Sequence, residues 1–172
     1  MSRRKTYEPV LYQQGKDCPW EPMPYNIIDL MLKIGKITPN DVVMDLGSGD
    51  GRIPMAAANF GAFGIGVEYD HDLVIYSRNL SKKNGVDDKI RFIEEDFFNT
   101  DMSKASLITL FIWPHLMKKL YPDLLKLKPG TRIVSYYWSF DDGDQDWEPD
   151  FKLSLGGHKI IYLWIVPKYN KK

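Results

Sequence analysis

The sequence predicts an α/β sandwich in which one mostly parallel sheet is covered by helices on both faces. Five strand-like segments alternate with helix-like segments, glycines follow the first strand directly, and a β-hairpin pattern ends the chain. Strands that alternate with helices form right-handed βαβ units and therefore a parallel sheet. The terminal hairpin adds an antiparallel edge. At 172 residues the chain is expected to form a single domain.

The stretch VVMDLGSGDGR, residues 42–52, anchors this prediction. Apolar residues lead to Asp45, and glycine then occupies every second position, at Gly47, Gly49 and Gly51. An apolar run that ends in such glycines is typical of a buried strand turning sharply into a helix. Glycine also lets a ligand approach the backbone without meeting a Cβ atom. The alternative is an ordinary glycine-rich loop.

The other elements follow from periodicity and from turn residues. Helices are expected at 25–34, 52–60, 71–84 and 114–127, and strands at 41–46, 63–69, 89–94, 106–113, 132–138, 151–155 and 159–166. Residues 1–24, rich in proline near their end, are expected to form an arm before the core at 25–172. The arm either folds over a site, with Trp20 facing it, or packs for stability alone.

Composition excludes several classes of protein. Basic and acidic residues balance at 23 each, so no nucleic-acid partner is expected. The single Cys18 fits a reducing compartment, and the basic N-terminus lacks the apolar segment of a signal peptide. Apolar runs are too short to span a bilayer. The expectation is a cytoplasmic monomer without membrane association.

The glycine spacing narrows the choice of ligand. The dinucleotide pattern is G-x-G-x-x-G, whereas this turn reads G-x-G-x-G and lacks the Gly-Lys-Ser/Thr of a P-loop. S-adenosylmethionine presents an ammonium and a carboxylate where NAD presents phosphates. The glycine amides can receive that carboxylate, and Asp45 can face the ammonium. Asp50 lies beside the same turn, and two carboxylates would repel a pyrophosphate. The sequence therefore predicts S-adenosylmethionine as cofactor.

Acidic residues at the ends of the next two strands complete the predicted cofactor site. Glu68 ends the second strand, where an acidic residue can accept two ribose hydroxyls. Asp96 follows the third strand and can accept the adenine amine, with the Phe97 ring lying against the base. The alternatives are a solvated carboxylate for Glu68 and core packing for Phe97. The full set of expected cofactor contacts is Trp20, Asp45, Leu46, Gly47, Ser48, Gly49, Gly51, Glu68, Tyr69, Asp96, Phe97 and Phe111.

Four motifs resemble those of class I S-adenosylmethionine-dependent methyltransferases. DLGSGDGR resembles the glycine motif of that family, GVEYD its acidic loop, EEDFF its adenine-side motif, and LKPGTRIVS its later turn and strand. The resemblance covers residues 19–166. It implies a Rossmann-like three-layer sandwich with a seven-stranded sheet in the order 3-2-1-4-5-7-6, strand seven being antiparallel. It also implies cofactor contacts from Asp45, the glycines, Glu68, Asp96 and Phe97.

More narrowly, the chain is similar to small archaeal and bacterial enzymes related to the broad-specificity archaeal protein lysine methyltransferase. The eukaryotic enzyme that modifies a lysine of the ATP synthase c-subunit belongs to the same wider group. The shared features are PWEPMP, DLGSGDGR, the paired phenylalanines and KPGTRIVS. This resemblance implies that the acceptor is a protein lysine. A small-molecule acceptor, or cofactor binding without turnover, is the alternative.

Aromatic residues at the expected ends of strands four and five are candidates to line the acceptor channel. An apolar channel favours the neutral amine that methyl transfer needs, and ring faces can hold the cationic form. The candidates are Phe111, Trp113, Tyr136, Tyr137, Trp138 and Phe140, of which about half are expected to be core residues. Tyr136 or Tyr137 is the first candidate for orienting the amine.

The remaining polar features give weaker predictions. Phe111 to Pro114 replaces the Asp/Asn-Pro-Pro-aromatic motif of enzymes that methylate DNA adenine or glutamine, so those acceptors are disfavoured. His115 is either a base or a solvent-facing residue, and no metal site is expected. The acidic loop 141–150 either steers a basic acceptor or is simply solvated.

Overall fold

The computed structural model describes residues 21–140 and 147–168. The strands are β1 (Val42–Leu46), β2 (Phe63–Glu68), β3 (Ile90–Glu94), β4 (Leu107–Leu110), β5 (Arg132–Tyr136), β6 (Phe151–Ser154) and β7 (Ile160–Ile165). The helices are α1 (Tyr25–Ile34), α2 (Arg52–Asn59), α3 (His71–Lys83) and α4 (Pro114–Leu124), with short 3₁₀ turns at Asp87–Lys89 and Phe97–Asn99. Trp20 and most of the acidic loop lie outside the described residues.

All seven strands form one sheet in the order β3-β2-β1-β4-β5-β7-β6. The pairs among β1 to β5 are parallel, and β7 is antiparallel to both β5 and β6. The prediction of a seven-stranded, mostly parallel sheet in this order is confirmed. The parallel register brings the carboxyl ends of β1 to β5 to one edge of the sheet.

The sheet separates two hydrophobic cores. On one face, α4 packs through residues such as Leu120 and Met117 against β1, β4 and β5, together with Trp164 of β7. On the other face, α1 contributes the buried Ile28 and Leu32, and α2 packs beside it. Apolar residues spaced three and four apart put these side chains on one helix face, which explains why both helices form where periodicity predicted them.

Two strands end earlier than the sequence predicted. β4 ends at Leu110, paired with Ser135, and β5 ends at Tyr136, whereas apolar runs had extended them to Trp113 and Trp138. The apolar character beyond Leu110 has a different cause, because Ile112 is buried in the core after the chain has left the sheet. No helix in the described part of the chain is both long and apolar enough to cross a bilayer.

At the opposite, amino edge of the sheet an ion pair joins distant segments. Arg132 of β5 is paired with Asp41, which precedes β1. The Arg132 guanidinium also donates to the Gly35 carbonyl at 2.7 Å, and Asp41 accepts the Ser106 hydroxyl at 2.6 Å. This clasp fixes α1, β1, β4 and β5 at the edge away from the glycine turn.

Candidate active site

The glycine turn joins β1 to α2 at the carboxyl edge of the sheet. Gly47, Gly49 and Gly51 adopt positive φ angles of 80°, 55° and 77°. A Cβ on Gly51 would lie 2.6 Å from ring atoms of Phe92, so conformation and packing both require glycine there. At Gly47, which is exposed, a Cβ would meet, among the residues that the structure describes, only Ile112, at 3.7 Å. The backbone at Gly47 is therefore open to close approach by a ligand.

Glu68, the last residue of β2, holds this turn with its carboxylate. The Gly49 N–H donates to Glu68 Oε2 at 2.8 Å, and the Asp70 N–H donates to Oε1 at 2.9 Å. A carboxylate can accept about four hydrogen bonds. Glu68 can therefore hold the turn and still accept hydroxyl groups from a ligand.

Asp45 lies buried on β1 beneath the turn. The Thr109 hydroxyl donates to Asp45 Oδ1 at 2.7 Å. Burial raises the pKa of Asp45 to about 7, and the nearby Glu68 and Asp50 carboxylates add to the rise against the Thr109 hydrogen bond. A cation bound beside Asp45 would favour its ionised form. Sequence analysis missed Thr109, although a lone polar residue within the apolar run LITLFIW was a usable signal.

Asp50 does not face the ligand side as a free carboxylate. Arg52 donates to Asp50 Oδ1 at 2.8 Å and to Oδ2 at 2.5 Å, and it also donates to the Met23 carbonyl at 2.7 Å. The charge of Asp50 is thus compensated within the chain. The ion pair with Arg52 weakens the predicted repulsion between Asp50 and a pyrophosphate, although the Asp50 carboxylate still raises the pKa of Asp45.

Asp96 and Phe97 follow β3 at the same edge. Asp96 caps the 3₁₀ turn by accepting the Phe98 N–H on Oδ1 at 3.0 Å. The Phe97 and Phe98 rings are tilted, with centroids 4.6 Å apart, and the Lys119 ammonium lies 3.7 Å from the Phe98 centroid. Both rings are partly buried against the core, as the core-packing alternative expected. Because they are only partly buried, part of each ring is also accessible to a flat ligand.

The aromatic cluster lies beyond the ends of β4 and β5. The Phe111 ring lies 5.5 Å from that of Tyr136 and 6.2 Å from that of Tyr137, and the two tyrosine rings are 4.8 Å apart. Trp113 stacks on Trp138 at 6.3 Å. The structure therefore brings together five of the six predicted channel residues.

Tyr137 has a φ of 77°, which is unusual for a bulky residue and costs roughly 1–3 kcal/mol. Its backbone N–H donates to the Ile160 carbonyl of β7 at 2.9 Å. Strain of this kind persists only where the surroundings impose it, and it clusters at functional sites. The turn at Tyr137 directs the chain out of the sheet at the carboxyl end of β5.

Phe140 corrects one prediction. It was expected in the acceptor channel, but it is 1% exposed and packs in the core, with centroids 4.7 Å from Trp164 and 5.4 Å from Trp147. The left-handed turn at Tyr137 changes the direction of the chain after β5, so alternation along the strand could not predict where Phe140 points.

Of the remaining candidates, Leu46 is buried at 1% exposure, and Tyr69 and His115 lie at the surface. Tyr69 is 72% exposed beside Glu68, and His115 is exposed on the first turn of α4. His71 is hydrogen-bonded to Glu94 at 2.9 Å, which raises the pKa of this histidine. Within the described residues no group of three His, Cys, Asp or Glu side chains is arranged to hold a metal ion.

A sheet of this order, with a glycine turn after β1 and carboxylates at the ends of β2 and β3, defines the class I S-adenosylmethionine-dependent methyltransferase fold. The chain is an S-adenosylmethionine-dependent methyltransferase. It belongs to the ANTKMT methyltransferase domain family, whose model matches residues 45–151.

Relatives of known function include lysine methyltransferases. A protein-lysine N-methyltransferase of Saccharolobus islandicus is 33% identical over 157 residues, covering 88% of this chain and 95% of the relative. The ATP synthase c-subunit lysine N-methyltransferase of Caenorhabditis elegans is 29% identical over 126 residues. The chain spans about two thirds of that relative, since the match covers 64% of it and 73% of this chain.

Solved structures share the fold. A structure described as an RNA methyltransferase from Salinibacter ruber, in complex with S-adenosyl-L-homocysteine, superposes with a TM-score of 0.82 at 39% identity, covering 87% of this chain and 95% of that one. A ribosomal protein L11 methylase from Lactobacillus delbrueckii superposes with a TM-score of 0.70 at 20% identity, covering 84% and 79% of the two chains. The latter likeness concerns the fold alone.

Proposed function

We propose that this methyltransferase transfers the methyl group to the side-chain amine of a protein lysine. The observation that carries the proposal is the cluster of Phe111, Tyr136 and Tyr137 at the carboxyl ends of β4 and β5, the same edge of the sheet that carries the glycine turn, with Tyr137 held in a strained conformation. The names of the Saccharolobus islandicus and Caenorhabditis elegans relatives support the same acceptor.

The cofactor is proposed to lie along the carboxyl edge of β1, β2 and β3. The glycine amides and the start of α2 receive its carboxylate, and Asp45 faces its ammonium group. Glu68 accepts the ribose hydroxyls, and Asp96 accepts the adenine amine beside Phe97. Other proposed contacts are those of Leu46, Ser48, Tyr69, Phe111 and Trp20.

Two features of the turn bear on this cofactor. The open backbone at Gly47 leaves room for an amino-acid end, and a Cβ is absent where one would obstruct it. The buried Ser48 hydroxyl has no hydrogen-bond partner among the described residues, which is uncommon for a buried polar group. This hydroxyl lies against Gly66 of β2, where a Cβ would come within 2.7 Å of it, so a ligand would reach it only after the turn had shifted.

The chemistry needs positioning more than acid–base help. When bound, the cofactor would supply a methyl group on a sulfonium: the lone pair of a neutral amine would attack the methyl carbon in line, the carbon–sulfur bond would break with its electron pair going to sulfur, S-adenosylhomocysteine would leave, and the methylated ammonium would release its proton to solvent. The protein contributes orientation, which can account for about 7–11 kcal/mol of a barrier, and an aromatic environment that lowers the pKa of an entering ammonium. Tyr136, which is 4% exposed, and Tyr137 are proposed to orient the amine through their hydroxyl groups.

RNA is the second candidate acceptor, because the solved Salinibacter ruber protein at 39% identity is described as an RNA methyltransferase. Charge balance argues against it, since the chain carries 23 basic and 23 acidic residues, and phosphate contacts usually need a basic surface.

The test is incubation of the full chain with methyl-labelled S-adenosylmethionine and a lysate of the source cells. The lysate is then divided into protein, RNA and low-mass fractions. We expect the label in the protein fraction, where protease treatment releases it and ribonuclease treatment does not. Label confined to RNA or to the low-mass fraction would overturn the lysine proposal. Glu68→Ala, assayed at a cofactor concentration below the KM, serves as the low-activity control, because it removes the proposed ribose contact.

A further inference from the structure

Ser77 lies on α3, a helix that contributes none of the site residues described above, and its side chain reaches the glycine turn. The side chain is fully buried, at 0% exposure. Its hydroxyl lies 3.1 Å from the Gly49 carbonyl and 2.8 Å from the Leu73 carbonyl of its own helix. One hydroxyl hydrogen is thus shared between a helix carbonyl and the turn.

The Gly49 peptide unit is consequently held from two sides. Its N–H donates to Glu68 of β2, and its carbonyl faces the Ser77 hydroxyl of α3. The next turn residue is equally confined, since a Cβ on Gly51 would lie 3.0 Å from the Ser77 Cβ and 2.6 Å from the Phe92 ring. Without these contacts, three glycines at every second position would leave the backbone of the turn flexible.

We propose that Ser77 is a positioning residue for the cofactor: it fixes the Gly49 peptide so that the turn is already in its binding conformation before the cofactor arrives. The inference rests on the proposed place of the cofactor at the glycine turn. When only a fraction of a protein is binding-competent, the apparent affinity falls by that fraction. Without Ser77 the turn samples other conformations, and each binding event must first order it.

Ser81, one turn later on the same helix, provides a matched control. It is buried at 2% exposure, and its hydroxyl donates to the Arg78 carbonyl within the helix at 3.0 Å. Ser77 and Ser81 therefore share residue type, helix, burial and a bond to the helix backbone. They differ in the contact with Gly49. Replacing each by alanine isolates that contact.

The experiment compares full-length Ser77→Ala and Ser81→Ala by calorimetric titration with S-adenosylmethionine, by steady-state kinetics and by chemical unfolding. Ser77→Ala is expected to weaken cofactor binding about three- to tenfold, the usual effect of one hydrogen bond. The KM for the cofactor should rise by the same factor, while kcat at saturating cofactor stays unchanged. Ser81→Ala should leave the cofactor affinity unchanged, although it should lower the free energy of unfolding about as much as Ser77→Ala does.

Exchange of the Gly49 amide, followed by nuclear magnetic resonance, gives a readout independent of binding. Ser77→Ala should accelerate this exchange more than Ser81→Ala does. If the two variants bind cofactor alike and protect Gly49 alike, Ser77 has only a structural role and the inference is overturned. Glu68→Ala distinguishes a failure of the Ser77 inference from a failure of the proposed cofactor site. If Glu68→Ala also leaves the cofactor affinity unchanged, the cofactor does not bind at this turn.

Discussion

The Gly49 N–H and the Glu68 carboxylate, 19 residues apart in the chain, are joined by a hydrogen bond of 2.8 Å. This contact ties the end of β2 to the turn after β1. It puts the carboxylate proposed for the ribose in direct contact with the backbone proposed for the amino-acid end. One residue therefore both shapes the turn and offers acceptors to the cofactor.

Replacing Glu68 by alanine should weaken S-adenosylmethionine binding about tenfold to a hundredfold, because hydrogen bonds to a charged group are lost. Isothermal titration calorimetry measures the change. Glu94→Gln is the control, since Glu94 ends β3, is paired in register with Glu68 and contacts His71 instead of the turn. Equal losses in the two variants would mean that charge at this edge, and not the Glu68 contacts, governs binding.

Cofactor binding should strengthen as pH rises through about 7, the pKa of Asp45, because the ionised carboxylate attracts the cofactor ammonium. Stability should follow the opposite course. The folded protein holds this proton above the unfolded pKa of 3.8, so the free energy of unfolding falls as pH rises from about 4 to 7 and then levels off. Titrations and unfolding curves across this range check both trends.

Asp45→Asn should remove the part of the pH dependence that centres on 7, in binding and in stability alike. The Thr109 hydroxyl can still donate to the amide oxygen, so the fold should be retained. An unaltered binding profile in this variant would show that another group titrates.

Tyr137→Phe should lower kcat on a protein acceptor by about tenfold while cofactor affinity stays unchanged, because the lost hydroxyl is proposed to orient the amine. Tyr136→Phe should act in the same direction. Tyr162→Phe, whose ring stacks on Trp164 of β7, is the control and should retain full activity. A change confined to cofactor affinity would place the Tyr137 hydroxyl on the cofactor side instead.

Arg132→Met should lower the free energy of unfolding by about 3 kcal/mol, because it leaves the buried Asp41 carboxylate without its positively charged partner. Cofactor affinity should not change, since this clasp lies at the amino edge of the sheet. Lys126→Met removes an exposed ion pair with Asp123 and should cost less than about 1 kcal/mol. Similar losses from both variants, measured by urea unfolding, would contradict the role assigned to the clasp.

The fold was predictable because local signals agreed with one another. The apolar run before Asp45, the glycines after it and the periodicity that begins at residue 71 each indicated a boundary that the structure has. The last of these has a local cause, because Asp70 caps α3 by accepting the Asp72 N–H at 2.9 Å. Strand ends were less predictable, because the apolar residues after Leu110 pack in the core or in the aromatic cluster and do not pair with a neighbouring strand.

The parts of the site that depend on distant contacts were not predictable. Neither the pairing of Asp50 with Arg52 nor the contact of Ser77 with Gly49 has a sequence signature, since rotamers and helix placement decide them. Phe140 was misplaced for a different reason, because its direction follows from the positive φ of Tyr137. The carboxylates at strand ends were easier to find, because parallel strands carry them to one edge.

The most direct test of the central claim is amino-acid analysis of acceptor protein after reaction with methyl-labelled cofactor. The labelled protein fraction is hydrolysed completely and the products are separated. The lysine proposal requires the label to appear in N-methylated lysine, and to fall strongly when Glu68→Ala replaces the natural chain at a cofactor concentration below the KM. Label in another amino acid, or in nucleosides from the RNA fraction with none in lysine, would contradict it.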